Sequence, residues 1–273
     1  MFTMDHKILR KLQMVELEML AELDRICREN NISYILDGGT MLGAVRHGGF
    51  IPWDDDVDVR MLRKNYDRFC EICKTQLDKK YFLQTYQTDP GYRWGYARIL
   101  KNGTVFKRKG QHRMTAKNGI FIDIFPDDNL PENFFGKITC TCISWLSRKL
   151  LYSEVGALNK SRFISRIGFK FLNIFPKEWG HKGFEYLTKK YRNSSTPYIR
   201  CLSWGAKFEA KGFLKKWHTE TAEYMFEGMK VPGPADASGY LSHIFGRDYM
   251  TLPPAEKRKP GHTADYIDFG EEV

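Results

Sequence analysis

Hydrophobic and polar positions recur along this chain with two periods, one helical and one extended. From Asp5 to Glu29, Ile8, Leu12, Val15, Met19, Leu23 and Ile26 return at three- and four-residue steps, which gives a helix one apolar face. Asn30-Asn31 ends it, and Ile32 to Leu36 is a short apolar run of the kind that forms a buried strand. Gly38-Gly39 lets the backbone turn sharply, and Thr40 stands where it would cap a helix from Met41 to Arg46. Asp56-Val57-Asp58-Val59 alternates with period two, so Asp56 and Asp58 share one face of a strand. Arg63 to Leu77 reads as a helix with Tyr66, Phe69, Cys70 and Cys73 inward. Tyr81 to Thr88 and Tyr92 to Leu100 read as strands joined at Asp89-Pro90-Gly91, and Asn102-Gly103 predicts a hairpin leading into Thr104 to Lys107. Gly119 to Pro126 has the pattern of a buried strand with one acid, Asp123, inside it; Asp127 and Asp128 are expected in the turn that follows.

From Phe134 to Arg192 the character becomes basic and aromatic. Phe163, Ile167, Phe171 and Ile174 mark one helical face, and Arg162, Arg166 and Lys170 mark the stripe beside it. Gly136 to Arg192 holds twelve Lys/Arg against three Glu, an excess of +9 in a chain whose formal net charge is +10. Charge so unevenly placed points to an anionic partner surface. Further on, Phe226 to Pro234 reads as a connector, Tyr240 to Phe245 as a short helix, and Tyr249 to Pro254 leads into Lys257, Arg258, Lys259 and His262. The expected division is a catalytic core over 1–133, a basic helical segment over 134–200, and a segment over 201–273 that completes the core and the substrate site.

The chain has 273 residues, 42% hydrophobic and 14% aromatic, enough for a packed core. Met1 to Asp5 lacks the pattern of a secretory signal, and no apolar run of about eighteen residues predicts a membrane span. The expected location is cytoplasmic, with the basic segment resting on the inner face of the cytoplasmic membrane. Cys27, Cys70, Cys73, Cys140, Cys142 and Cys201 do not form a disulfide framework in a chain of this length. Cys70, Cys73, Cys140 and Cys142 fit a zinc site only loosely, and reduced thiols are the expected reading.

The chemistry concentrates between Leu36 and Val59, where Asp54, Asp55, Asp56 and Asp58 lie within five residues, downstream of Gly38-Gly39 and Arg46-His47. A strand, a glycine turn and a helix N-terminus make an anion site, because free N–H groups point outward there. Carboxylates crowded on a partly buried strand repel one another unless a cation sits between them. Mg²⁺ suits such a site, since it takes a few carboxylates and shares its other positions with water and phosphate; Mn²⁺ is the substitute ion. Asp123, costly inside a strand unless paired or bound to a cation, is the natural third carboxylate. Asp54 is the weaker ligand candidate. Arg98, on a buried strand, needs an anionic partner, either a structural carboxylate or a substrate phosphate.

Four motifs, L-D-G-G-T-M-L-G-A-V-R-H-G-G-F-I-P-W-D-D-D-V-D-V, G-I-F-I-D-I-F-P, F-E-G-M-K-V-P and D-Y-M-T-L-P-P, run in order from Leu36 to Pro254. In this the chain resembles the LicD family of phosphocholine transferases, relatives of fukutin and fukutin-related protein. The resemblance implies an α/β (α+β) nucleotidyltransferase-like mixed sheet flanked by helices. Two metal carboxylates lie on one strand of that fold and a third on its neighbour. It also implies transfer of a phospho-substituent from a CDP-linked donor, such as CDP-choline, to a sugar hydroxyl of a surface glycan or its lipid-linked precursor. On this reading Asp56, Asp58 and Asp123 are the catalytic and metal residues, and Gly38, Gly39, Thr40, Arg46, His47 and Arg98 bind substrate. Asp123 either completes the metal site or takes the proton of the acceptor hydroxyl. Two other readings remain open: a nucleotidyltransferase acting on a small molecule, and a non-catalytic glycan-assembly or nucleic-acid-binding subunit. Nucleic acid is not an expected partner, because the basic segment carries no recognisable nucleic-acid motif.

Overall fold

The structure is a computed structural model and describes residues 5–108, 115–159, 163–205, 212–262 and 264–270. It opens with helix α1 (His6–Glu29), whose N-cap Asp5 accepts a hydrogen bond from the Ile8 N–H. Its inner face buries Leu9, Leu12, Met19, Leu20, Leu23 and Ile26 as the apolar period predicts. Fully burying an aliphatic side chain of this kind contributes about 1.5–3 kcal/mol, so this face anchors the helix on the sheet. Gln13 and Glu16 lie in the same buried stripe, an interruption with consequences for the site.

The sheet is mixed. Strands β1 (Ile35–Leu36), β2 (Asp58–Leu62), β3 (Tyr81–Gln84), β4 (Ala97–Lys101) and β6 (Phe121–Asn129) stand in the order β1-β2-β6-β4-β3. β2 and β6 are parallel, and the other pairs along this path are antiparallel. The far end of β6 also pairs with β7 (Tyr198–Arg200), which pairs with β8 (Phe213–Leu214). Helices α2 (Gly38–His47) and α3 (Arg63–Gln76) complete this half. One face of the central strands, with Val59, Met61, Ile99, Ile122 and Ile124, joins α1 and α3 in the main core.

Several elements differ from the sequence expectation. β3 stops at Gln84, because the Thr88 hydroxyl accepts from the Thr85 N–H and donates to the Leu83 carbonyl, closing a turn there. Asn102-Gly103 does not make a hairpin between β4 and the next strand. Both edges of β4 are taken by β3 and β6, and β5 (Val105–Arg108) pairs instead with β11 (Ala264–Asp268). The expected connector at Phe226–Pro234 is part of a hairpin of β9 (Thr221–Phe226) and β10 (Met229–Pro234). Its two-residue turn, Glu227-Gly228, has positive φ at both positions, the conformation that matches strand twist. Asp127 and Asp128 lie within β6, not in a turn. Arg63 donates to Asp128 at 2.7 Å, and Asp127 binds Arg60 and His218.

The basic segment folds as α4 (Phe134–Leu151), α5 (Ser153–Asn159), α6 (Phe163–Leu172) and α7 (Glu178–Tyr191). A second, smaller core of Leu130, Cys140, Leu151, Phe184, Leu187 and Leu202 holds α4 and α7 beside the sheet. No helix among the described residues is long and apolar enough to cross a membrane. Arg162 and the side chain of Phe163 lie outside the described residues. The described cysteines are free thiols. Helix α8 (Ala237–Phe245) packs near α2 and β10.

Candidate active site

Three neighbouring strands bring the central charges into one row. Asp58 on β2 is the register partner of Asp123 on β6, and Asp123 is the partner of Arg98 on β4. Directly opposed residues share a face, so these side chains stand side by side. Period two adds Arg60, Phe121, Phe125 and Asp127 to the same face. Arg98 grips Asp123 through two bonds, Nε to Oδ1 at 2.5 Å and Nη2 to Oδ2 at 3.2 Å. Of the two partners open to Arg98 on sequence grounds, the structure places it on the carboxylate.

The acids that precede β2 divide by role. Asp55 is buried and accepts from the backbone N–H of Gly261 at 2.8 Å and of His262 at 2.9 Å, which ties the C-terminal segment to the acidic run. That tie brings the His262 Nδ1 to 3.4 Å from Asp56 Oδ2 and 3.5 Å from Asp55 Oδ1. Asp54 lies against the glycine turn, where a Cβ built on Gly39 would come within 2.5 Å of its Oδ2. Any side chain at Gly39 would therefore push Asp54 out of place.

Burial, then mutual repulsion, drives this cluster toward the protonated form. The carboxyls of Asp54 and Asp58 sit well above their ordinary range, chiefly through desolvation and then through Asp56. Asp56 is also raised by burial, against the opposing pull of His262. Glu16, reaching from α1, is raised well above its ordinary value by burial and by Asp56, Asp55 and Asp54. Gln13, one turn earlier, donates to the Asp54 carbonyl at 2.9 Å and supports the loop from beneath.

The glycine turn differs in detail from its expected form. α2 begins at Gly38, not Met41, and its N-cap is Asp37, whose carboxylate accepts from the Gly38 N–H. Gly38 has φ +48°, a conformation that disfavours a side chain. Thr40 is not the cap. Its hydroxyl accepts from the Asp58 N–H at 2.9 Å and locks the turn to β2. Beneath the turn, the fully buried Arg60 donates to Asp37 at 2.6 Å and to Asp127 at 2.7 Å. Arg46 and His47 occupy the last turn of α2. Arg46 donates to the Tyr249 carbonyl and to His47 Nε2, and the His47 ring meets Trp53 edge-on. Burial and the Arg46 charge lower the His47 pKa.

Arg108 is a site residue that sequence reasoning missed. Its guanidinium lies 4.3 Å from the Phe121 ring centroid, and the Arg98 guanidinium lies 4.1 Å from the same centroid. Burial and Arg98 lower its pKa, while Asp123 opposes the shift. The available signal was period two on β5, which sets Arg108 on the same face as buried Phe106. Glu16 carried a similar signal as a charge inside an apolar helical stripe.

The donor set fits a hard divalent cation. Among the described residues, Asp55, Asp56 and His262 offer ligand atoms all within 4.8 Å of one another. The His262 Nδ1 is buried without a hydrogen bond among the described residues, as a nitrogen reserved for a ligand would be. A cation among Asp54, Asp56 and Asp58 would relieve the repulsion that raises their pKa values.

Residues 31–154 match the family model described as the LicD/FKTN/FKRP nucleotidyltransferase domain. Along 261 residues the chain is 31% identical to the lipopolysaccharide cholinephosphotransferase LicD of Haemophilus influenzae, covering 93% of this chain and 96% of that protein. It is also 61% identical over 28 residues to the ribitol 5-phosphate transferase FKRP of Homo sapiens, 10% of this chain and 6% of that one. A full-length likeness of this kind, on a mixed sheet that lines up the carboxylates, places the chain in the LicD family.

Proposed function

We propose that this protein is a divalent-cation-dependent transferase. It moves phosphocholine from CDP-choline to a sugar hydroxyl of a cell-surface glycan or its lipid-linked precursor. The observation that carries the reading is the pairing of Asp58 with Asp123 beside a glycine turn, with Asp56 just before the strand. The choice of phosphocholine follows the likeness to the lipopolysaccharide cholinephosphotransferase of Haemophilus influenzae.

Mg²⁺ held by Asp56 and Asp58, with His262 beside them, would neutralise pyrophosphate charge and stabilise the CMP leaving group. The N–H groups at the start of α2, opened by Gly38 and Gly39, hold phosphate oxygens. Thr40 keeps that turn against β2, and Arg46 and His47 line the approach. In the transfer the acceptor oxygen bonds to the phosphorus that carries choline. The bond from that phosphorus to the bridging oxygen breaks, and CMP departs with the electron pair. The hydroxyl proton passes to a carboxylate. Asp123, oriented by Arg98, either receives it or serves as the third carboxylate of the cation site.

In this reading 1–133 and 201–273 build the catalytic core, and 134–200 rests on the inner face of the cytoplasmic membrane. The support is a run of exposed apolar side chains on and beside basic helices: Phe135 on α4 is 79% exposed, Ile164 on α6 84%, and Ile174, which lies in the turn after α6 and not on the expected helical face, 77%. Aromatic and aliphatic insertion beside Lys and Arg suits an anionic bilayer.

The test supplies the protein and Mg²⁺ with CDP-choline, CDP-ribitol, CDP-glycerol or CDP-ethanolamine, with lipopolysaccharide as acceptor, and measures the products. CMP release strongest with CDP-choline is expected. Release of pyrophosphate from a nucleoside triphosphate would instead identify a nucleotidyltransferase, and no turnover with any donor would leave only a binding role.

A further inference from the structure

A chamber of about 490 Å³ opens beside the charged row. Trp94 and Tyr96 line it from the segment before β4, Trp145 and Lys149 from α4, and Trp204 from the segment after β7. Arg108 lines it too, next to the Phe121 ring over which Arg98 also lies. The sheet order sets its position. Gly38-Gly39 follows β1, the acids stand on β2 and β6, and Tyr96 lies just before β4 on the other flank. Displacement at phosphorus is roughly in line, so acceptor and leaving group lie on opposite sides of the reacting atom. If the donor pyrophosphate lies toward the glycine turn, the acceptor approaches from the chamber.

The lining indicates what that acceptor is. Tyr96 packs tilted against Phe125 at 4.7 Å, Trp204 tilted against Phe125 at 5.3 Å, and Trp94 lies 6.3 Å from Tyr152. Electron-rich ring faces of this kind suit the polarised C–H face of a pyranose. They would also suit a quaternary ammonium, but that cation would meet Arg108, Arg148 and Lys149 in the same space. Arg108 adds a sharper requirement. Its Nε and Nη2 are buried without a hydrogen-bond partner among the described residues. Buried unsatisfied donors on a cation are destabilising, and an anion would satisfy them.

We propose that this chamber is the acceptor site and that its occupant is an anionic saccharide, a sugar that carries a phosphate group. The rings hold the sugar face, Arg108 and Lys149 hold the phosphate, and a free hydroxyl reaches toward Asp123. This inference rests on the transferase reading for the word acceptor, but the binding it requires can be measured without turnover.

The test is isothermal titration calorimetry on the full chain with glucose 6-phosphate, glucose, inorganic phosphate and CMP. Glucose 6-phosphate should bind at least tenfold more tightly than glucose or inorganic phosphate. Trp204→Ala and Lys149→Glu, each checked for an unchanged melting profile, should weaken it at least tenfold and leave CMP affinity as it was. Affinity no better than that of glucose or phosphate, or insensitivity to both substitutions, would overturn the proposal. So would loss of CMP affinity in these variants, which would give the chamber to the nucleotide. CMP release from CDP-choline without saccharide binding would sink this inference alone; saccharide binding without any donor turnover would sink the transferase reading alone.

Discussion

Arg60 offers the most quantitative test of how this site is held. Its side chain is wholly buried and donates to Asp37 at 2.6 Å and to Asp127 at 2.7 Å, with its guanidinium 4.2 Å from the Phe213 ring centroid. Arg60→Met keeps most of the aliphatic stem and removes the charge. Breaking a buried ion pair from one side costs about 3–5 kcal/mol, because the partner charge remains buried. Here Asp127 keeps His218 at 2.9 Å, and Asp37 keeps the Gly38 N–H and the Tyr240 hydroxyl, so the lower half of that range is expected. For a chain of this size each kcal/mol moves Tm by about 2–4 °C, which gives a fall of about 6–16 °C. The pH dependence supplies a second readout. Although burial pushes the Asp127 carboxyl up, Arg60 and His218 hold it below its ordinary value. A depressed carboxylate contributes stability above its unfolded pKa and loses it as pH falls through its folded pKa. The wild type should therefore lose stability in acid, below about pH 4, and Arg60→Met should show a shallower acid decline. Asp127→Asn added to Arg60→Met should recover part of the loss. Thermal melting by circular dichroism from pH 3 to 8 measures all three. A variant within about 2 °C of wild type throughout would refute the claim that this pair supports the glycine turn.

Other outcomes follow from the same geometry. Asp54, Asp56 and Asp58 are raised in the folded state, so their contribution is complete below the ordinary carboxylate pKa and is lost as pH rises through their folded values. Cation-free protein should lose Tm from about pH 4 upward. Mg²⁺ at a hundredfold its Kd should restore about 2.7 kcal/mol, or about 5–11 °C, near pH 8; a Tm indifferent to Mg²⁺ would contradict the metal assignment. Asp56→Asn should raise the cation-free Tm at pH 8, abolish the Mg²⁺ response and nearly abolish turnover. Asp123→Asn should stop transfer; calorimetry that finds donor and metal affinity intact assigns it the proton, a fall in both assigns it the cation, and an active variant dismisses both roles. Glu replacements of Arg166 and Lys170 should release the protein from anionic liposomes in co-sedimentation and leave activity on a soluble acceptor unchanged, whereas equal binding to neutral and anionic lipid would count against the membrane role.

Local order in this chain was decided locally. The apolar stripe of α1 needed only its own period, because helix neighbours are set by 3.6 residues per turn. The alternation of Asp56-Val57-Asp58-Val59 located the strand for the same reason, although β2 begins only at Asp58 and leaves Asp56 in the segment before it, and Gly38 signalled a turn through its freedom at positive φ. The four ordered motifs carried the family. What the sequence could not carry was pairing between distant strands. β5 reads as the second arm of a hairpin until β3 and β6 occupy both edges of β4, which leaves it to β11 some 160 residues later. The register of β2, β6 and β4 decided that Asp123 meets Arg98 as well as Asp58. A strand's ladder fixes which charges face one another, and no property of the separate segments reports it. Asp127 and Asp128 read as turn residues because a carboxylate after proline is ordinarily exposed; they stay in the sheet only because Arg60, His218 and Arg63 arrive from elsewhere to pair with them. His262, Arg108 and Glu16 join the site in the same way, since burial and electrostatics act through space between residues that the chain keeps far apart.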